Sequence, residues 1–257
     1  MAMGKASRGK KDSVHKVLGN RVKPEKELKP EKELKPLQES PLKGTLQKVT
    51  SLTTFIPSLI LLLVSFAVYL NALFGYYVYD DTVQIVDNPW IKDTNNTLKI
   101  FSKSVWSFQP GTFISNYYRP LMHIVYMFNY YVFGLKPWGF HLINILFHCG
   151  ATVLVFLAIL RLLPDRSDSV SPLYCSPPFI AALLFASHPI HTEAVAWIAG
   201  LPDVAFTFFY LLSFYLYIKS KPLLSGNYLL SVVCFAFSTF FKEPALTLPV
   251  ILFAYDY

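Results

Sequence analysis

Charge is scarce in this chain. Of its 257 residues only 15% are Asp, Glu, Lys or Arg, against about a quarter in an ordinary soluble domain. Cysteine is scarcer still, at three residues, which excludes a small secreted scaffold stapled by disulfides. The first 50 residues contain no sustained apolar run, so no cleaved signal peptide is expected there. What fills the sequence instead is apolar. Hydrophobic residues make up 53%, with 22 Phe and 16 Tyr. That surplus argues against a disordered protein and against a soluble enzyme, and points to a bilayer.

The formal charge of +7 is local. Residues 1–50 hold 13 Lys and Arg against 6 Asp and Glu, whereas residues 51–257 hold 10 of each. The body is therefore neutral and the tail basic. The tail carries a tandem hexamer, Pro-Glu-Lys-Glu-Leu-Lys, at 24–29 and again at 30–35. Recurring Pro and little apolar surface predict a disordered segment. Acids alternate with bases and no aromatic interleaves to stack on bases, so no nucleic-acid partner is expected. A basic tail ahead of a membrane span is held on the cytoplasmic side by the positive-inside bias.

A helix needs about 20 largely apolar residues to cross the hydrocarbon core. Residues 55–74 and 141–163 meet that plainly. Residues 179–198 are weaker because they include His188, His191 and Glu193, and 204–218, 228–241 and 245–255 are shorter. The reading is an all-α, polytopic membrane protein with a disordered tail over 1–50 and about six spans over 51–257, the last cut by the C-terminus. With the tail inside, the loop 75–139 lies outside, and Arg161, Arg166, Lys219 and Lys221 fall inside, as the bias requires. Residues 120–133 are apolar and aromatic but short, and read as a helix along the outer interface. Counting them as a span would invert every later loop.

Four groups can carry chemistry. Asp80 and Asp81 follow the first span. Adjacent carboxylates there can act as a general base or bind a divalent metal through oxygen; the bland reading is a solvated loop. Arg119, in Tyr117-Tyr118-Arg119-Pro120, can clamp a phosphate, or pair with bulk lipid headgroups. His188, His191 and Glu193 resemble a metal cluster, but Pro189 interrupts the turn and no fourth ligand is placed by spacing, so polar groups lining a cavity are expected. Lys242 and Glu243 sit between two apolar runs, where a charge pair faces a cavity or neutralises itself. His141, Asn144 and His148 share roughly one face of the second long span, as interhelical hydrogen bonding would also require. Asn95-Asn96-Thr97 fits the N-glycosylation pattern.

The order of these features is more specific than any one of them. An acidic pair after the first span is followed by Tyr118–Leu121, by the run 134–144 (Gly-Leu-Lys-Pro-Trp-Gly-Phe-His-Leu-Ile-Asn), by His188–Glu193, Gly200–Asp203 and Lys242-Glu243-Pro244. From about residue 55 onward this resembles the membrane part of the TMTC-type O-mannosyltransferases and their bacterial relatives, within the GT-C class of glycosyltransferases. The resemblance implies a bundle of transmembrane helices with a large first outer loop, and a polyprenyl-phosphate sugar as donor. It also implies a protein or glycan hydroxyl as acceptor and an inverting transfer on the extracytoplasmic face. Asp80 and Asp81 then match the acidic motif. Arg119, Lys242, His188, His191 and Glu243 become donor-phosphate candidates, with a divalent metal on the acids as the alternative source of positive charge. Such proteins sit in a bacterial inner membrane or, in a eukaryote, the endoplasmic reticulum. They commonly continue into more spans and tetratricopeptide repeats. The sequence stops at Tyr257 without them, so a truncated, non-catalytic scaffold is the rival reading, and a transporter a more distant one.

Overall fold

The computed structural model describes residues 41–109, 111, 115–163, 173–220 and 225–257, with side chains from residue 53. The tandem hexamer, most of the basic tail, Arg166 and Lys221 lie outside the described residues. Every regular element among the described residues is helical. The α-helices are α1 (Pro41–Val68), α2 (Thr97–Ser102), α3 (Pro120–Phe133), α4 (Pro137–Leu162), α5 (Pro177–Ser187), α6 (Thr192–Ala196), α7 (Leu201–Lys219), α8 (Gly226–Phe241) and α9 (Leu248–Asp256).

Proline and small polar residues set many of these bounds. Pro120, Pro137 and Pro177 open α3, α4 and α5, where a missing N–H costs nothing. Ser176 and Ser225 cap α5 and α8 by accepting the N–H of Phe179 and Tyr228. Gly134 ends α3 at φ +63, a backbone that L side chains seldom adopt. The short helix expected over 120–133 is present with those bounds. α1 gives way to a 3-10 turn, Leu70–Phe74, before the outer loop begins.

Two helical runs are long and apolar enough to cross a membrane by length and composition, Pro137–Leu162 and Ile198–Lys219. A third is the pair Pro177–Ser187 and Pro189–Ala196, bent by 45°. The bend has a local cause. The ring of Pro189 disfavours the helical region for the residue before it, and His188 is extended at φ −69, ψ 127. The run read as one span over 179–198 is therefore bent in its middle, as a broken span or a re-entrant loop is. Thr53–Val68 and α8 are apolar but shorter. A 16-residue helix such as α8 rises about 24 Å, less than the roughly 30 Å of a hydrocarbon core. The stretch 245–255 resolves into a 3-10 turn, Glu243–Thr247, and the 9-residue α9.

α7 lies between α4 and α8, α5 packs on α4, and α3 reaches α8. The main core joins the loop after α1 to these helices: Ile85, Trp90, Ile91, Ile100, Met122, Tyr126, Phe140, Val195, Ile198 and Leu201 are buried in one cluster. A smaller cluster of Leu61, Phe156, Phe179 and Ala182 ties α1, α4 and α5. The loop after α1 is thus packed onto these helices, and that fixes the position of the acidic pair.

Candidate functional site

The loop after α1 turns sharply at Tyr79, which takes φ +50. A bulky aromatic in the left-handed region is strained by about 1–3 kcal/mol and persists only where its surroundings enforce it. They do so from both sides. One carboxylate oxygen of Asp81 accepts the N–H of Val78 at 3.0 Å, and the other accepts the N–H of Ala199 at 2.8 Å. The indole N–H of Trp197 donates to the carbonyl of Val78 at 3.4 Å. Residues 78–81 are thereby pinned to the corner 197–199, between α6 and α7.

The two acids consequently differ. Asp81 is fully buried, and both its oxygens are occupied. Asp80 is exposed, and its carboxylate has no partner among the described residues. Burial pushes Asp81 up to about 6, helped by the charge of Asp80 and opposed by the bonds from Val78, Ala199 and Trp197. A carboxyl raised above its unfolded value of about 4 stabilises the fold at low pH, and that contribution is lost as pH rises through about 6. Thermal unfolding in detergent is therefore expected to show a fall in stability between pH 4 and 6 that the Asp81→Asn variant lacks. An equal slope in both proteins would contradict this.

The corner is itself held from beneath. Asn144 of α4 donates to the carbonyls of Trp197 and Ile198 at 2.8 and 3.3 Å, and the hydroxyl of Tyr126 donates to that of Ile198 at 3.4 Å. Gly200 presses on α6, since a Cβ there would stand 2.5 Å from the carbonyl oxygen of Ala194. The loop's far side is tied by Asn88, which caps Trp90, donates to the carbonyl of Gln84 and meets Nδ1 of His123 at 3.3 Å. Burial lowers His123 to about 4, so it stays neutral; its Nε2 donates to the carbonyl of Val105 at 3.0 Å.

From this corner α7 leads to the cations. Asp203, in its first turn, pairs with Lys242. The adjacent Glu243 pairs with Arg119 through two bonds, Nε to Oε1 at 3.1 Å and the terminal nitrogen to Oε2 at 2.8 Å. Against the burial that pushes it up, the Arg119 guanidinium holds the Glu243 carboxyl below its ordinary value. The Arg119 guanidinium also lies 4.7 Å from the ring centre of Tyr117. Arg119, Glu243, Lys242 and Asp203 thus form one cluster of two cations and two acids. Each cation keeps spare donors, because a guanidinium has five N–H groups and an ammonium three.

Tyr126 connects the two halves. It is buried, and burial together with the charges of Asp81 and Asp80 pushes its phenol well up, while Arg119 pulls it down. Its one hydrogen bond goes to the corner 197–199, and it lies on the helix that Arg119 caps.

The histidines stand apart from this line. His188 is exposed, and its Nδ1 accepts the N–H of Ile190. His191 lines a cavity of about 280 Å³ with His148, Phe185, Asp203 and Thr207, so it meets the cluster only through Asp203. Among the described residues no three His, Cys, Asp or Glu side chains converge on a metal position. A divalent ion needs several oxygen ligands, and of the acidic pair only Asp80 has oxygens free of protein partners among the described residues.

The sequence marks Gly200–Asp203 as a motif, but the partners of Asp203, Tyr126, Trp197 and Ala199 lie far along the chain and escape such a reading. The Trp-Ile-Ala-Gly-Leu-Pro-Asp run at 197–203 was the signal available, since a Gly-Leu-Pro corner between apolar helices marks a close backbone approach.

Comparison with known proteins finds relatives over about three quarters of the chain. The chain is 35% identical over 199 residues to mouse protein O-mannosyl-transferase TMTC3, covering 74% of this chain and 20% of that protein. It is 35% identical over 201 residues to human protein O-mannosyl-transferase TMTC2, covering 74% and 22%. It is 34% identical over 194 residues to protein O-mannosyl-transferase F38B6.6 of Caenorhabditis elegans, covering 75% and 27%. The chain therefore spans about a fifth to a quarter of the length of the relatives it matches. No family model matches it, and no solved structure does.

Proposed function

Because this chain is a relative of the TMTC-type protein O-mannosyl-transferases, we propose that it is the membrane part of a GT-C-like glycosyltransferase. It moves a sugar from a polyprenyl phosphate to a hydroxyl of a protein acceptor. Its helices form a multi-pass bundle in the endoplasmic reticulum membrane, with the basic tail cytoplasmic and the loop 75–139 on the opposite face. What supports this most is that Asp81 beside Asp80 is bonded to Ala199, and that α7, which starts two residues later, carries Asp203 to Lys242, next to the Glu243 that holds Arg119.

The chemistry follows from that arrangement. The acceptor hydroxyl gives its proton to the free carboxylate of Asp80 while its oxygen attacks the anomeric carbon. The bond from that carbon to the phosphate oxygen breaks, the configuration inverts, and the polyprenyl phosphate leaves carrying the growing negative charge. Arg119 meets that charge with the donors that Glu243 leaves free, and Lys242 with those left by Asp203. Fixed cations lower such a barrier because they need no reorganisation as charge develops. Asp81 does not react. It holds the strained turn that presents Asp80, and a divalent ion held by Asp80 is the alternative source of positive charge.

The rival is a non-catalytic scaffold, which the pairing of both cations with acids also suits. Membranes containing the chain, supplied with a radiolabelled polyprenyl-phosphate mannose and a Ser/Thr-rich acceptor peptide, separate the two. Label in the peptide above that of membranes lacking the chain is expected, and its absence, with intact donor recovered, supports the scaffold.

A further inference from the structure

The proposed transfer makes no use of the tip of the outer loop. Asn95-Asn96-Thr97 is the one Asn-X-Ser/Thr sequence in the whole chain. It lies on a 3-10 turn, Thr94–Asn96, that leads into α2. Three neighbouring side chains there are engaged. Thr97 donates to the carbonyl of Thr94 at 2.7 Å, Asn96 to that of Pro89 at 3.3 Å, and Lys99 to Asn96 at 3.0 Å. Asn95 differs from them. Its backbone N–H is held by Asp93 at 2.9 Å, while its side-chain amide is exposed and makes no hydrogen bond among the described residues.

We propose that Asn95 carries an N-linked glycan. The inference rests on the proposed orientation, with the loop on the lumenal side. The donor is a lipid-linked oligosaccharide of the cell's own N-glycosylation machinery. The amide nitrogen of Asn95 forms a bond to the anomeric carbon, the bond from that carbon to the lipid pyrophosphate breaks, and the amide proton passes to the transferring enzyme. The fold has room for the product. Lys92, three residues earlier, is anchored by the hydroxyl of Tyr131 near the C-terminal end of α3. Asn95 bonds no member of the ion cluster among the described residues, so sugar transfer is expected to be unchanged in the Asn95→Gln variant.

The test is translation of the whole chain into endoplasmic reticulum microsomes, followed by electrophoresis with and without a peptide N-glycosidase. One mobility step that the enzyme removes is expected. It should vanish in Asn95→Gln and in Thr97→Ala and persist in Thr97→Ser. A step that survives Asn95→Gln overturns the assignment. To separate failure of the site from failure of the orientation, Lys99→Cys and Lys219→Cys are placed singly in a chain otherwise without cysteine. Both positions are exposed. If Lys99→Cys reacts with an impermeant maleimide only from the lumen, opposite to Lys219→Cys, and the wild type still shows no step, the glycan is ruled out and the orientation stands. If Lys99→Cys reacts only from the cytosol, both fall.

Discussion

Asp80→Asn is expected to lower sugar transfer by about 10²–10⁴-fold, the usual cost of losing a general base. Thermal unfolding should hardly change, because the Asp80 carboxylate is exposed and bonds no protein group among the described residues. Asp81→Asn should behave in the opposite way. Its two oxygens satisfy the N–H groups of Val78 and Ala199, and an amide replaces one acceptor by a donor facing a donor. A buried group left unsatisfied costs about 1–3 kcal/mol, so the variant should unfold earlier and lose transfer only as far as the turn at Tyr79 relaxes. Equal losses of transfer with unchanged unfolding in both variants would mean that the buried acid reacts, against a division of roles in which Asp80 takes the proton and Asp81 holds the turn.

Arg119→Gln is expected to lower turnover by about 10²–10³-fold, the range seen when one preorganised donor to a developing negative charge is removed. Its ion pair with Glu243 is partly exposed, and such pairs add about 0–1 kcal/mol to stability. Unfolding should therefore shift little. The informative partner is the double variant Arg119→Gln with Glu243→Gln, which has no unpaired acid. Should Glu243 merely neutralise Arg119 in a structural pair, the double variant regains transfer. In the proposed chemistry it does not, because the cation facing the leaving phosphate is gone.

Much of the helical order was legible from local signals. The bounds of α3 follow from Pro120 at its start and Gly134 at its end, and α4 from Pro137 and its unbroken apolar run. Pro189 was visible as well, yet 179–198 reads as one span when hydropathy is averaged over the break. Only the extended backbone at His188 reveals the 45° bend. The acidic pair shows a different limit. Adjacent Asp residues are equivalent in a sequence. Which one turns inward depends on Ala199, 118 positions away, offering its N–H. The cations are similar. Arg119 finds its partner 124 positions away and Lys242 finds Asp203 39 positions away. Their charges could be read along the chain, but not that each already has an acid beside it. The histidine motif read as polar groups lining a cavity, and His191 lines one, while the extended turn at Pro189 leaves His188 as the cap of a short 3-10 segment.

The most direct measurement of the central claim is photo-crosslinking of the membrane-inserted chain with a polyprenyl phosphate whose reactive group sits beside the phosphate, followed by peptide mapping. Adducts are expected within 76–81, 117–119 and 242–243, competed by unlabelled polyprenyl phosphate and reduced in Arg119→Gln. Competed adducts confined to α1 or α5, with none in those three stretches, would place the phosphate elsewhere and leave the acidic pair with nothing to act on.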